Sequence, residues 1–187
     1  HAFHTARAGA PKAELVYNDY MSWEPGNETH RAGVLKLLEG FRKRNVPVDA
    51  LGVQSHIGLY GGSVAEAVKR QEKPWRDFVD EVTGMGYKLV ITEMDVNDKG
   101  LQRDFAARNR AVADYAGAYL DVMFAYPQLR DVLVWGMADK YNWLQGFSKR
   151  PDGAPLRPSP YDAEFRAKPL HAAIARSFTA APARASG

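Results

Sequence analysis

The sequence contains no cysteine among its 187 residues, which excludes disulfide bonds and thiolate metal sites. It also has no apolar run that approaches the roughly 18 residues of a membrane-spanning helix. No signal peptide opens the sequence. These features exclude a disulfide-bonded scaffold and predict no membrane partner, and they suit either a reducing cell interior or a robust secreted enzyme.

A basic face interleaved with aromatic residues is likewise missing, although the formal net charge is +3 and the isoelectric point is near 9.1. The 25 lysines and arginines are spread beside the 22 acids, so the sequence predicts no nucleic-acid partner. The length suits one core, and nothing marks a second domain. We therefore expect one domain over residues 1–178 and a small, polar, disordered tail at 179–187.

The sequence does contain short β-rich runs that alternate with longer helical patterns, which is typical of a parallel α/β sheet. No glycine-rich phosphate turn follows the first run, which favours an α/β barrel over a doubly wound open sheet. The opening residues His1–Arg7 indicate the last turns of a helix. The predicted strands are 14–18, 50–55, 88–93 and 131–136, and the predicted helices are 29–44, 63–70, one beginning near Pro74, 101–125 and 168–178.

The third strand is the centre of the functional prediction. The stretch Leu89–Val96 contains two carboxylates, Glu93 and Asp95, and is followed by turn residues at 97–100. Alternation along a strand places both acids on one face. Acids occur in a buried strand mainly where the chain emerges into a site, so Glu93 is the candidate for the chemistry and Asp95 for its support.

The second strand adds a histidine to these acids. It delivers Gln54 and His56, which alternation places on one face. A histidine between two carboxylates can hydrogen-bond both, which would hold Glu93 in one rotamer and keep it ionised. An ionised, immobile carboxylate that faces a cleft suits covalent attack at an anomeric carbon.

Aromatic residues follow the fourth strand. Trp135 ends that strand, and Tyr141 and Trp143 lie in the loop beyond it. Their flat apolar faces are of the kind that pack on sugar rings. We assign Trp23 to packing within its loop and Trp75 to the core face of a helix.

Each of these features also has a structural explanation. Two acids at a strand end can simply be solvated, a Gln-x-His pair is often structural, and tryptophan near a strand end is usually part of the core. A metal-dependent barrel hydrolase would use His56, Glu93, Asp95 and Asp139. Metal clusters in barrels usually recruit several histidines, and only His56 of the five lies at a strand end, so we predict no metal site.

Four segments of the sequence stand out together: Tyr17–Tyr20 (YNDY), Gly52–His56 (GVQSH), Val90–Val96 (VITEMDV) and Val134–Leu144 (VWGMADKYNWL). In order and spacing they resemble the later motifs of the family-10 glycoside hydrolases, the endo-β-1,4-xylanases. The segment at 159–169 is similar to that family's entry into its C-terminal helix, and the likeness extends to Phe178.

The resemblance implies a (β/α)8 barrel of the TIM type and a retaining mechanism without a cofactor. By that resemblance Glu93 is the catalytic nucleophile, His56 is the histidine that hydrogen-bonds it, and Asp95 is the acid that steadies the histidine. The implied substrate is xylan or a xylo-oligosaccharide, and the implied location is secreted or periplasmic.

The resemblance also assigns substrate contacts. Gln54 matches a residue that lines the sugar site next to the cleaved bond. Trp135 and Trp143 match the aromatic walls of the cleft, and Tyr141 lies between them in the sequence. Asn18–Asp19 match the Asn-Asp pair at the end of the family's fifth strand, and we place Asn18 among the substrate contacts.

One part of the family's machinery has no counterpart in this sequence. The acid/base glutamate of the fourth strand is absent, and so are the first three strands. The chain therefore corresponds to strands five to eight, and we expect it to begin within the helix after strand four. Retaining hydrolysis needs two carboxyl groups roughly 5 to 5.5 Å apart. Glu24 and Glu28 are better explained as surface-loop acids than as the second carboxyl.

Half of a barrel leaves two open strand edges, here at Leu15 and Leu133. We expect the chain to self-associate through these edges, or to be ordered only beside an N-terminal half-barrel. We expect no hydrolysis of xylan by the chain alone. The alternative function is a non-catalytic half-barrel that assembles with a partner or binds polysaccharide.

Overall fold

The computed structural model describes residues 1–183, which form one sheet of parallel strands together with six α-helices and a short 3-10 turn. None of the helices in this range combines the length and hydropathy that a membrane crossing requires. The strands are β1 Val16–Asp19, β2 Ala50–Val53, β3 His56–Gly58, β4 Lys88–Asn97 and β5 Leu129–Val134. The helices are α1 Ala2–Gly9, α2 Glu28–Lys43, α3 Val64–Gly84, α4 Phe105–Phe124, α5 Leu144–Phe147 and α6 Pro169–Ala180, with the 3-10 turn at Asp139–Tyr141.

The strands lie side by side in the order in which they follow one another along the chain. β1 pairs with β2, β2 with β4 and β4 with β5, and every pair is parallel. β3 pairs with the second half of β4, so it continues the line of β2. Parallel neighbours need a crossover between them, and α2, α3 and α4 supply it. The predicted alternation of strands and helices is therefore confirmed.

The second predicted strand, however, is divided in two at Gln54 and Ser55. Ser55 has a φ of 61°, a left-handed conformation that serine rarely adopts. Its buried hydroxyl lies 2.8 Å from the Tyr119 hydroxyl and donates to the carbonyl oxygen of Val53 at 3.2 Å. Simple alternation from Gln54 to His56, which the sequence argument assumed, is therefore wrong, because the backbone turns between them.

Helix α3 is one continuous helix, although the sequence predicted two. Its N-terminus has a capping box in which the Ser63 side chain and the Glu66 side chain each bond the other residue's backbone N–H. The helix then runs through Pro74, where the sequence indicated a new start. A proline inside a helix costs about 3 kcal/mol. The stripe of buried residues that includes Trp75 and Phe78 offsets this cost by keeping one face against the core.

The hydrophobic core lies between the sheet and the helices, and two tryptophans occupy it. Trp75 is fully buried, as predicted. Trp23, which we assigned to packing within its loop, instead enters the core. Its indole N–H donates to the Tyr115 hydroxyl at 2.8 Å, and its ring contacts Tyr115 and Tyr119 of α4.

The other face of the sheet is open. A cavity of about 510 Å³ is lined by residues of β1, β4 and β5, among them Val16, Val90 and Leu133. Leu133 is 49% exposed although it lies in a strand. Within residues 1–183, β1 pairs only with β2 and β5 only with β4, so both are edge strands.

The C-terminal helix is longer than the sequence indicated. The predicted tail began at Thr179, but α6 continues to Ala180. The part of the predicted tail at 184–187 lies outside the described residues.

Candidate active site

Glu93 lies in β4 at an irregular point, where the register with β5 shifts between Ile91 and Met94. Two side chains from neighbouring strands hold its carboxylate. Asn18 Nδ2 donates to Glu93 Oε1 at 3.1 Å, and His56 Nε2 lies 3.3 Å from Glu93 Oε2. The two oxygens therefore have different partners, which fixes the rotamer of Glu93.

The amide of Asn18 is itself oriented. Thr92 Oγ1 donates to Asn18 Oδ1 at 2.8 Å, so Nδ2 is turned toward Glu93. A Cβ at Gly52 would lie 2.6 Å from Asn18 Oδ1, so a larger residue at that position would displace this side chain. We assigned Asn18 to substrate contact, and the structure additionally gives it a direct hydrogen bond to Glu93.

His56 is placed between the two acids of β4. Its Nδ1 lies 2.9 Å from Asp95 Oδ1, on the opposite side of the ring from Glu93. Burial by itself lowers the pKa of His56, but its hydrogen bonds to Asp95 and Glu93 and their charges outweigh burial, and the pKa is raised. An imidazole that donates from both ring nitrogens is the imidazolium ion, so the geometry and the direction of the pKa shift agree.

Asp95 is 2% exposed and is held by residues that follow β5. Trp143 Nε1 donates to Asp95 Oδ2 at 2.7 Å, and Asn142 Nδ2 lies 3.4 Å from the same oxygen. The Trp143 ring also contacts the His56 ring, with centroids 5.0 Å apart. Asp95 is thus satisfied on both oxygens and acts on Glu93 only through His56.

Asn142 is a site residue that the sequence analysis missed. Its Nδ2 also donates to the Trp135 carbonyl oxygen at 2.9 Å and to Ser159 Oγ at 3.2 Å, and its Oδ1 accepts from the Leu144 N–H at 2.9 Å. It therefore ties the end of β5 to the loop beyond it. The available signal was a polar residue between two aromatic ones, which does not by itself distinguish a buried asparagine from an exposed one.

A buried ion pair stabilises the loop that follows β5. Lys168 Nζ donates to the two Asp139 carboxylate oxygens at 2.9 and 3.0 Å and to the carbonyl oxygen of Ser159 at 2.8 Å. Burial lowers the pKa of Lys168 to about 8 and raises the pKa of Asp139. Asp139 thus forms an ion pair with Lys168 and, within residues 1–183, no hydrogen bond with His56. Within residues 1–183, no cluster of three acidic or histidine side chains is arranged to hold a metal ion.

The predicted aromatic residues remain accessible beyond β5. Trp135 is 48% exposed and Trp143 is 37% exposed, so neither indole belongs to the core. The Trp135 N–H donates to the Met94 carbonyl oxygen at 2.9 Å, which places Trp135 beside the end of β4. Tyr141 is still more exposed than either tryptophan.

Within residues 1–183, Gln54 and Asp19 do not join the hydrogen bonds around Glu93. The Gln54 N–H donates to the Asp19 carbonyl oxygen at 3.2 Å, and its half-buried side chain has no hydrogen bond to Glu93 or His56 within the described part of the chain. The Asp19 carboxylate accepts from Tyr17 Oη at 2.7 Å and lies 3.4 Å from His30 Nε2.

Glu24 is not a surface-loop acid, and that prediction is wrong. Its Oε1 accepts from the Gly58 N–H at 2.6 Å and from the Tyr115 hydroxyl at 2.9 Å, and burial raises its pKa. Glu24 is buried because it follows Trp23, whose side chain enters the core, so the backbone at this point of the loop lies against the core. Glu28, in contrast, is exposed as predicted and accepts from the Gly26 N–H.

Comparisons with known proteins find similarity to a family of glycosyl hydrolases and to several xylanases. The sequence profile of glycosyl hydrolase family 10 matches residues 1–177. The chain is 29% identical over 184 residues to a thermostable celloxylanase of Thermoclostridium stercorarium, and the match covers 91% of this chain and 42% of that protein.

Solved structures agree in fold. Native xylanase 10B from Thermotoga maritima superposes with a TM-score of 0.77 and 27% identity. Xylanase 10B from Thermotoga petrophila, solved in complex with xylobiose, superposes with a TM-score of 0.77 and 26% identity. In both cases the match covers 95% of this chain and 50% of the other. The chain thus spans about half the length of the proteins that it matches.

Proposed function

Because this chain belongs to glycosyl hydrolase family 10, we propose that it supplies the nucleophile side of a retaining endo-β-1,4-xylanase active site that acts on xylan. With β2 and β3 counted as one interrupted strand, its parallel strands make up about half of a (β/α)8 barrel, and we assign them to the last four strands of that barrel. The observation that carries the proposal is Glu93, held by Asn18 on one oxygen and by His56 on the other. Asp95 in turn holds His56.

The chemistry follows from this arrangement. The Glu93 carboxylate attacks the anomeric carbon of a xylose unit, and the bond from that carbon to the leaving oxygen breaks. Water then hydrolyses the glycosyl ester and regenerates the carboxylate, with net retention. Imidazolium at His56 donates a hydrogen bond to the Glu93 carboxylate before attack and stabilises its negative charge again as the carboxylate leaves. Trp135 and Trp143 offer exposed ring faces to the sugar.

The leaving oxygen needs a proton, and we propose that this chain does not supply it. Asp95 accepts from His56 and Trp143, and Asp19 accepts from Tyr17 and lies against His30. Glu24 is buried against Gly58 and Tyr115. The carboxyl groups of Asp95, Asp19 and Glu24 are therefore each hydrogen-bonded to other residues and are not directed at Glu93. The acid therefore comes from an N-terminal half-barrel, and the site of action is extracellular, where polymeric xylan occurs.

The test separates attack by Glu93 from protonation of the leaving group. A 2-fluoro-xylobioside with a dinitrophenolate leaving group needs no proton donor, because the phenolate departs unprotonated. We expect the purified chain to release dinitrophenolate and to carry one glycosyl group on Glu93, identified by peptide mass spectrometry. We also expect that the same preparation does not hydrolyse xylan, since protonation typically contributes about a hundredfold to ten-thousandfold.

Two variants control this experiment. Glu93→Gln should abolish labelling, because the amide is a poor nucleophile. Glu39→Gln, which alters an exposed acid of α2 that forms its ion pair within residues 1–183 with Lys43, should label normally. Labelling of another carboxyl, or none in a chain shown to be folded by circular dichroism, would contradict the assignment of Glu93. A binding-only half-barrel would bind xylobiose and remain unlabelled.

A further inference from the structure

A second pair of aromatic side chains lies beyond the proposed cleft. Tyr141 is 68% exposed and Phe165 is 61% exposed, and their ring centroids are 6.0 Å apart at an interplanar angle of 36°. We call these two residues the rim pair. Neither ring fills the core, so burial does not explain why two large apolar faces are presented side by side to solvent.

The backbone that carries Tyr141 is held firmly. The Tyr141 N–H donates to the Ala138 carbonyl oxygen at 3.1 Å, and its two neighbours in the 3-10 turn region, Asp139 and Asn142, are both buried. Asp139 is bound to Lys168 and accepts from the Ser159 N–H at 3.0 Å. The exposed ring therefore projects from a fixed frame, which reduces the entropy lost when a ligand binds.

Phe165 is held in an unusual conformation. Its φ is 60°, in the left-handed region that a bulky residue rarely adopts. Asp162 closes the turn, because its Oδ1 accepts from the N–H groups of Glu164 and Arg166 at 2.9 Å each. Tyr161 bridges this turn to Ala138, and so to the Tyr141 segment. An exposed phenyl ring kept at a strained position is more typical of a binding residue than of a turn residue.

The ammonium group of Lys140 lies beside the rim pair. Lys140 Nζ lies 5.4 Å from the centroid of the Tyr141 ring, and the side chain is exposed. Within residues 1–183, Lys140 makes no ion pair with a carboxylate. Arg166 is nearby in sequence, but Asp162 and Glu164 already neutralise it. Lys140 is thus a cation in contact with the rim pair that no carboxylate of residues 1–183 neutralises.

We propose that the rim pair and Lys140 bind a xylan segment that carries uronic-acid side groups, outside the cleft at Glu93. This inference rests on the proposed function, since it takes xylan as the polymer. Ring faces at about one sugar's spacing suit the pyranose backbone, and the ammonium suits the carboxylate of the side group. The segment is continuous with the cleft, because Trp143, which bonds Asp95, lies two residues beyond Tyr141.

A sugar polymer fits these residues better than a protein partner does. The rim pair is a small raised surface with a cation beside it, and it is not an apolar groove of the size that a protein interface needs. Both rings stand on backbone that is already ordered by hydrogen bonds, so they offer flat faces without rearrangement. A chain of stacked sugar rings with occasional negative charges matches this surface.

The experiment compares two ligands by isothermal titration with the purified chain: xylotetraose, and the same oligosaccharide with one glucuronic acid branch. We expect the branched ligand to bind more tightly at low ionic strength, and Lys140→Gln to remove that preference. Tyr141→Ala and Phe165→Ala should each weaken the branched ligand by about three- to tenfold, the range for one aromatic contact.

Matched controls keep this inference separable from the proposed function. Lys149→Gln alters another exposed lysine, and Phe178→Ala alters an exposed phenylalanine that packs on Phe124 of α4. Neither should change the affinity for either ligand. If Trp143→Ala weakens xylotetraose but the branched ligand has no advantage and Phe165→Ala no effect, the rim site is refuted and the proposed function stands. If neither ligand binds, both are refuted.

Discussion

At the scale of single residues, the protonation of His56 determines whether it can donate hydrogen bonds to both Asp95 and Glu93. Its two ring nitrogens lie against Asp95 and Glu93, and both can be satisfied only when both carry a proton. The raised pKa of His56 means that the folded chain binds this proton more tightly than the unfolded chain does. Its stabilising contribution is therefore full below the unfolded pKa of about 6.5 and is lost as pH rises through the folded pKa.

We expect Asp95→Asn to lower the pKa of His56, because the substitution removes the negative charge of Asp95 and weakens the hydrogen bond that together raise this pKa most. The measurement is a titration of the imidazole nitrogens by NMR in the native and variant chains. Unfolding by urea at pH 6 and pH 9 should show a smaller pH dependence in the variant. Asp114→Asn, at an exposed acid of α4, is the matched control. An unchanged His56 pKa in Asp95→Asn would refute this coupling.

Trp143 has two roles that one substitution can separate. Trp143→Phe keeps an aromatic ring but removes the N–H that donates to Asp95. A hydrogen bond to a charged group contributes about 1.5 to 3 kcal/mol, so labelling of Glu93 by the fluorosugar should slow by roughly tenfold or more.

Trp135→Phe is the natural comparison, since its indole N–H makes no hydrogen bond within residues 1–183. It should slow labelling less than Trp143→Phe does. Equal rates for the two variants would mean that Trp143 acts only as a sugar-facing ring and does not position Asp95.

At the scale of elements, one loop between β5 and α6 carries the aromatic residues of the site and two of the side chains that hold Asp95. It supplies Trp143 and Asn142 to Asp95, and it carries the rim pair. Such a loop loses conformational entropy when it is ordered, so it needs internal bonds. The buried ion pair between Asp139 and Lys168 provides them. Lys168 also donates to the backbone carbonyl oxygens of Arg157 and Ser159, and Asp139 accepts from the Ser159 N–H.

We expect Lys168→Met to destabilise the chain by about 3 to 5 kcal/mol, because it leaves the Asp139 carboxylate buried without its counter-ion. The measurement is the free energy of unfolding from urea titration. Replacing both partners, Lys168→Met with Asp139→Leu, should recover part of the loss, since no uncompensated charge remains. Lys149→Met, at an exposed lysine, should change stability by no more than roughly 0.5 kcal/mol. A loss that small in Lys168→Met would refute the role of the pair.

At the scale of the whole molecule, the open face of the sheet is the dominant feature. β1 and β5 are edge strands, and Leu133 and the cavity of about 510 Å³ beside it are exposed where a closed barrel packs side chains. Open parallel edges and exposed apolar strand residues promote association with another chain.

We therefore expect the purified chain to self-associate, as measured by size-exclusion chromatography with light scattering. Leu133→Lys should shift it toward the monomer, because a charge on an edge strand opposes edge-to-edge pairing. Phe178→Lys, at an exposed residue of α6, should leave the association unchanged. A monodisperse monomer at all concentrations would show that the open edges are tolerated.

The sequence by itself determined the class of fold and the family, and it singled out Glu93, His56 and Asp95 as the residues that we propose to carry the chemistry. Period-two and period-3.6 patterns report which side of each strand and helix is buried, so the order of strands and helices followed from them. The predicted end of the third strand at Glu93 was wrong, because β4 continues through Asp95 to Asn97, and His56 begins β3. The motifs around these residues were sufficient to identify the family, which the comparisons then confirmed over residues 1–177.

Only the tertiary structure decided how those residues are held. The break at Ser55, the hydrogen bonds from Asn142 and Trp143 to Asp95, and the burial of Glu24 each join segments that are far apart in the chain. Local patterns carry no information about such partners, because a polar side chain in a loop can be exposed or buried at equal local cost. Its burial depends on whether a distant donor or acceptor meets it, and folding alone brings the two together.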